Sequence, residues 1–168
     1  MASPVPAVTQ ESLGAWLLKA SPELLAVEEH VRTGFRTLTS RCVRSTYRAA
    51  LVREGQPVLL WLSGHDRRHP AGLYAQGSTT GVAREDGPEL AVPLALRLID
   101  PVVTRRELLA HPRLAGIEVI RMPAGSNPSY LDVEQYAELR QAFPQVSPTG
   151  PPLLSTAHRR GQTPHRGH

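Results

Sequence analysis

Glu89-Leu90-Ala91-Val92-Pro93-Leu94-Ala95-Leu96-Arg97-Leu98-Ile99 alternates large apolar residues at 90, 92, 94, 96 and 98 with small or polar ones. Successive strand side chains point to opposite faces, so a period of two over this length marks a strand with one face on a core. Val58-Leu59-Leu60-Trp61-Leu62 lies between Gly55 and the polar loop Ser63–Pro70. It is apolar without alternation, which predicts a buried strand. Ala15–Lys19 is a shorter apolar run read as a strand, Ala71–Ala83 returns as a strand carrying Leu73 and Tyr74, and Ile117–Met122 reads as another.

Helix signals fall between these runs. Ser21 offers an N-cap, with Pro22 at the first helical position and Glu23 in the first turn. Leu24, Val27 and Val31 follow at helical spacing, and Gly34 ends the helix. Ser45 is placed to cap a short helix through Val52. Thr104 with Glu107 forms a capping-box pattern for a helix to Ala110. Asp132 with Gln135 forms another for a helix to Phe143, with Val133, Tyr136 and Ala137 expected to face inward. Strands with segregated short helices define an α+β class. These local patterns leave a barrel and an open sheet as alternatives.

The chain has 168 residues, of which 40% are hydrophobic, enough for one domain with a real core. Periodicity confines that domain to Glu11–Phe143. Residues 1–10 read as a flexible lead. Residues 144–168, rich in Pro, Gly, His and Arg, read as a disordered tail. Cys42 is the only cysteine, so no intrachain disulfide can form and a multi-cysteine zinc site is excluded. No run is long enough to cross a bilayer, and Met1–Ser12 lacks the basic head and apolar stretch of a signal peptide. A cytoplasmic setting is expected.

The net charge of +4 is uneven. Three of the 19 basic residues, Arg159, Arg160 and Arg166, lie in the acid-free tail, which leaves the remainder close to neutral. Bulk charge therefore says little about nucleic acid. The interval from Arg32 to Arg53 is different: it holds Arg36, Arg41, Arg44 and Arg48 and no acid. Guanidinium forks match phosphate oxygens and stack on bases, so Arg36, Arg44 and Arg48 are candidate phosphate contacts.

Four motifs, in order, resemble the EVE domain family. Trp16-Leu17-Leu18-Lys19-Ala20-Ser21-Pro22-Glu23 looks like its opening strand, and Val58-Leu59-Leu60-Trp61-Leu62-Ser63-Gly64 is similar to its central strand. Ala71-Gly72-Leu73-Tyr74-Ala75-Gln76-Gly77 resembles the returning strand. Leu114–Leu139, with Arg121 and Gly125-Ser126-Asn127-Pro128-Ser129, looks like the closing segment. The resemblance implies a PUA-like bent β-barrel with flanking short helices, kin to YTH and ASCH domains. It implies a module that binds DNA or RNA through a pocket for a modified base. Carried over by motif, the pocket residues are Lys19, Ser21, Arg41, Cys42, Ser63, Gly64, Ser126, Asn127, Pro128 and Ser129. Gly55-Gln56 stands where the family favours Gly-Asp, and Arg41 stands where related chains tend to have a tryptophan. A guanidinium plane would then take over stacking from an aromatic wall.

Other chemistry is thinly represented. Trp16 and Trp61 lie in apolar strands and are assigned to the core. His65, Asp66 and His69 share one polar loop and lack a fourth ligand, so no metal site is expected. No paired catalytic carboxylates, nucleophile–base arrangement or phosphate-cradling glycine loop appears, so neither a catalytic residue nor a cofactor is expected. Two other functions remain in view. An ASCH-like amidohydrolase acting on a modified nucleoside would need Lys19 to meet a carboxylate, for which Glu23 is the nearby candidate. A protein-interaction adaptor would expose an apolar patch around Val133 and Tyr136. The sequence does not specify an oligomeric state.

Overall fold

The apolar runs around Trp16 and Leu60 need cover on both faces, and they obtain it by pairing at the middle of one sheet. The computed structural model describes residues 7–23, 25–64, 67–125 and 127–147. The strands are β1 (Leu13–Ala20), β2 (Ser40–Val43), β3 (Pro57–Leu62), β4 (Gly72–Thr79), β5 (Arg84–Asp86), β6 (Glu89–Thr104) and β7 (Ser129–Asp132). The helices are α1 (Val27–Arg32), α2 (Arg105–Leu109), α3 (Glu118–Arg121) and α4 (Val133–Ala142), and Ala49–Leu51 forms a single 3-10 turn.

The sheet order is β2-β6-β4-β3-β1-β7, with β5 also on β6. β1 and β3 run parallel, in the register Trp16 to Val58 through Ala20 to Leu62. The other pairings are antiparallel. The first part of the long β6 pairs with β2 and β5, and the rest pairs with β4. That offset curls the sheet into a half-barrel. At one end its two outer strands meet: Arg44 N, just past β2, donates to Asn127 O, just before β7, at 3.0 Å.

Alternation sorts the side chains into two cores. Trp16, Leu18, Val58, Leu60, Leu62, Val92, Leu94 and Leu96 fill the concave side, with Val27 and Phe35 closing it from α1 and the turn after it. Ala15, Leu17, Leu59, Trp61 and Leu73 point to the convex side. There Leu108 of α2, Val119 of α3, and Tyr136 and Leu139 of α4 cover them. Each fully buried large side chain contributes about 1.5–3 kcal/mol. Gly77 permits β4 and β6 to approach closely, since a Cβ there would lie 1.8 Å from Ala95 O.

Both capping boxes form. Thr104 accepts from Glu107 N and Asp132 accepts from Gln135 N, with the reciprocal bonds in place. Several expectations need correction. Ile117–Met122 is not a strand. Ile117 caps α3, and Ile117 and Val119 are both buried in the convex core while Glu118 turns to a partner on another element. α1 starts at Val27 rather than Pro22, because Ser21 to Leu25 closes an isolated turn first. Only the 3-10 turn forms where a helix from Ser45 was expected. On α4, Val133 is exposed at 52% and Ala137 is exposed, while Tyr136 and Leu139 face inward.

Packing also reaches past the expected 11–143 limits. Val8 is buried in the concave core and Val146 in the convex one. Gln76 Nε2 donates to Gln145 O at 2.7 Å, Ser147 N donates to Gln76 Oε1 at 2.8 Å, and Arg97 donates to Ser147 O. The expectations for residues 1–6, for the tail beyond Ser147, and for Leu24, His65, Asp66 and Ser126 lie outside the described residues. Among the described residues no helix is long and apolar enough to cross a membrane.

Candidate functional site

The parallel strands β1 and β3 end side by side, and most of the expected pocket residues gather at that end. Ser63 N and Ser63 Oγ both donate to Ala20 O, at 2.9 and 3.1 Å. From the other side of β1, Lys19 N donates to Asn127 Oδ1 at 3.2 Å. Arg41 Nη2 donates to Lys19 O at 3.0 Å. Segments far apart in sequence therefore converge on the backbone of two residues.

Lys19 sends its side chain to the convex side, beside Trp61 in the strand register. Its Nζ donates to Gly125 O at 2.7 Å and to Pro123 O at 3.4 Å. Burial lowers the Lys19 ammonium pKa. The Glu118 charge opposes that shift, and the Arg48 and Arg44 charges add to it. Glu23 is not its partner. Ser21 serves the chain locally, its O accepting from Leu25 N and its Oγ from Glu23 N.

The residues do not all line one cavity. Arg41 and Cys42 are neighbours on β2 and point to opposite faces, as strand geometry requires. Arg41 is half-buried, and burial lowers its pKa against the pull of Cys42 and Glu89. Its Nε is buried with no hydrogen-bond partner. Cys42 is exposed, and its Sγ lies 3.7 Å from Asp86 Oδ2 as a weak donor. Burial, the Asp86 and Glu89 charges and that contact raise the thiol pKa, against Arg41. The expected pocket wall from Cys42 is thus replaced by a contact with β5. Pro128 and Ser129 are buried rather than facing an opening, Ser129 Oγ donating to Glu118 Oε1 at 2.8 Å.

Arg48 requires the largest correction. Its guanidinium forms a fork with the Glu118 carboxylate at 2.6 and 3.0 Å, donates to Pro128 O at 3.2 Å, and lies 4.9 Å from the Tyr130 ring centroid. The two side chains are only 15% and 13% exposed. The hydrogen bonds to Glu118 raise the Arg48 pKa. Burial alone would raise the Glu118 carboxyl, but the bonds from Arg48 and Ser129 and the nearby Arg48 and Arg121 charges hold it below the ordinary carboxylate range. Arg48 is therefore occupied with fastening α3 and the 127–129 segment, leaving Arg36 and Arg44 exposed as candidate phosphate contacts.

A concavity of about 510 Å³ opens at the convex edge of the same strand ends. Trp61, Ser63, Gly64, Ala71, Arg105, Val119 and Pro123 line it. Only Ser63 and Gly64 among these were expected. Trp61 is in the core, as its strand predicts, yet it also forms part of the lining. Arg105 was overlooked because it reads as the start of a helix, and only the pairing of β4 with β6 brings it beside Ala71. Its backbone N donates to Ala71 O at 2.7 Å. Gly64 has φ +129°, and a Cβ there would lie 2.9 Å from Pro22 Cγ. A broader, more open depression of about 710 Å³ runs over α1, lined by charges of both signs, Glu28 and Glu29 with Arg32, and by His69; none of the expected pocket residues gathered at the ends of β1 and β3 lines it.

A curled α+β half-barrel is an architecture known from other solved structures. A protein of Rhodopseudomonas palustris solved by NMR superimposes with a TM-score of 0.61 at 14% identity, covering 80% of this chain and 96% of that one. A crystal structure from Pseudomonas syringae gives 0.57 at 15% identity, with coverages of 76% and 97%. A hypothetical protein from Leishmania major gives 0.57 at 19% identity, with coverages of 82% and 99%. At these identities the likeness shows the fold alone. No family model matches the chain, and no curated protein is similar to it in sequence.

Proposed function

We propose that this chain is a non-catalytic nucleic-acid-binding module of EVE type on a PUA-like barrel, and that it takes one modified base, turned out of its stack, into the concavity beside Ser63. The observation that carries this reading is the opening itself. It lies at the ends of two motif strands, has the volume of a small-ligand site, and is lined by apolar side chains with one hydroxyl, one guanidinium and no carboxylate. A base entering it gains apolar contact that offsets part of the unstacking cost of a few kcal/mol. Arg36 and Arg44 remain available to hold phosphates outside it.

The amidohydrolase alternative has less support. The Lys19 ammonium is held by two carbonyls, and the nearby Glu118 carboxylate is engaged by Arg48 and Ser129. The adaptor alternative needs Tyr136 on the surface, and Tyr136 is 8% exposed.

A binding screen of plain and modified nucleosides and short oligonucleotides tests the proposal. Ser63→Phe would fill the opening from an exposed position. It is expected to abolish preference for a modified-base oligonucleotide while leaving the fold and general phosphate affinity intact. Wild-type binding of both oligonucleotides by Ser63→Phe would place the site elsewhere.

A further inference from the structure

We infer that the concavity accepts a ring together with one anionic group, and that Arg105 supplies the contact to that group, so that the unit recognised is a nucleoside monophosphate rather than a bare base. This rests on the proposal that the opening holds a nucleobase, and it adds the part of the ligand that proposal leaves unassigned.

Arg105 is the only charged residue lining the opening among the described residues. It is exposed, and no side-chain hydrogen bond or ion pair engages its guanidinium among the described residues. Arg41 and Arg48 do not line the opening, and each donates to groups of the protein, Arg41 to Lys19 O and Arg48 to Glu118. The Arg105 backbone is held on two sides. Its N donates to Ala71 O, and the capping box of Thr104 with Glu107 fixes the residue before it. The acid in that box is already occupied: Glu107 Oε2 accepts from Thr104 N and Thr104 Oγ1. A free guanidinium on a fixed backbone, at the rim of an apolar opening, suits an anion attached to a flat ring. The ring removes apolar surface chiefly against Ala71 and Pro123, over the buried edges of Trp61 and Val119, and the fork takes two phosphate oxygens.

The experiment titrates the full chain with adenosine, adenosine 5′-monophosphate, their base-methylated counterparts and inorganic phosphate. It reads calorimetric affinity together with tryptophan fluorescence, since Trp61 lines the opening and Trp16 lies in the opposite core. Within a nucleoside and monophosphate pair, the monophosphate is expected to bind about tenfold tighter, as one charge-assisted contact at an exposed rim would give. Arg105→Gln is expected to remove that difference, keep the nucleoside affinity and leave the thermal midpoint unchanged. Inorganic phosphate is expected to bind far more weakly than either. Equal affinity of nucleoside and monophosphate in the wild type, or a preference that survives Arg105→Gln, overturns the inference while leaving the base-pocket proposal standing. If no nucleoside, nucleotide or oligonucleotide binds, the proposal falls and the inference with it.

Discussion

Replacing Arg48 with alanine separates a structural arginine from a ligand-facing one. The substitution removes the fork to Glu118, the bond to Pro128 O and the stacking on Tyr130. It leaves a carboxylate with 13% side-chain exposure and Ser129 Oγ as a remaining donor. Breaking one side of a buried ion pair costs about 3–5 kcal/mol, because the other charge stays behind without compensation. Partial exposure and the Ser129 bond place the expectation at the lower end, about 3 kcal/mol. At about 2–4 °C per kcal/mol for a chain of this size, the thermal midpoint should fall by roughly 6–12 °C. Glu118→Leu in the same background should recover much of the loss, giving a coupling energy of about 2 kcal/mol in a double-mutant cycle. The assay is urea unfolding of the four proteins at neutral pH, with nucleic-acid affinity measured over a salt series on wild type and Arg48→Ala. A loss below about 1 kcal/mol, or additivity of the two changes, would refute the structural assignment. So would a fall of about one unit in the log–log salt slope, the signature of a lost phosphate contact.

Replacing Arg36 and Arg44 by glutamine should weaken nucleic-acid binding across all sequences and flatten the salt slope by about 1.5–2 units, with no loss of thermal stability; an unchanged slope would remove both from the interface. The Glu118 carboxyl is held below its reference value of 4.5, so its stabilising contribution is present above that value and is lost as pH falls through the lower folded-state pKa. Glu118→Gln should therefore flatten the acid limb of the stability profile, and an identical limb in the variant would contradict the assignment. A chain ending at Pro144 should be about 3–5 kcal/mol less stable than one ending at Ser147, because it loses the burial of Val146 and both partners of Gln76; equal midpoints would show that residues 145–147 contribute nothing. Cys42 should alkylate more slowly than a free thiol at neutral pH, and Asp86→Asn should speed it; no change would mean that the Asp86 contact does not act on the thiol.

The sequence by itself determined the features that depend on neighbours along the chain. Leu90 through Leu98 declared a one-sided strand because the period of two is a property of the backbone, and Val92, Leu94 and Leu96 do face the concave core. Thr104 with Glu107 and Asp132 with Gln135 declared two helix starts because a capping box closes within four residues. The ends of β1 and β3 were also marked by motif, and Ser63, Arg41 and Asn127 do converge there.

Tertiary structure decided the rest. β2, β5 and β7 are three or four residues each and carry too little pattern to stand out; their partners on β6 and β1 make them strands. Gly116-Ile117-Glu118-Val119-Ile120-Arg121 has the composition of a strand, yet it forms a helical turn, with Ile117 and Val119 in the convex core and Glu118 against Arg48. The fate of each arginine could not be read from its interval. Arg48 and Arg44 are four residues apart in one acid-free segment, but an acid 70 residues away claims only Arg48. Arg105 carried no signal at all, because its place beside Ser63 and Val119 exists only once β4 has paired with β6 and the sheet has curled. Side-chain charge is written in the sequence, but desolvation and partnership, which decide what that charge can do, are properties of the folded neighbourhood.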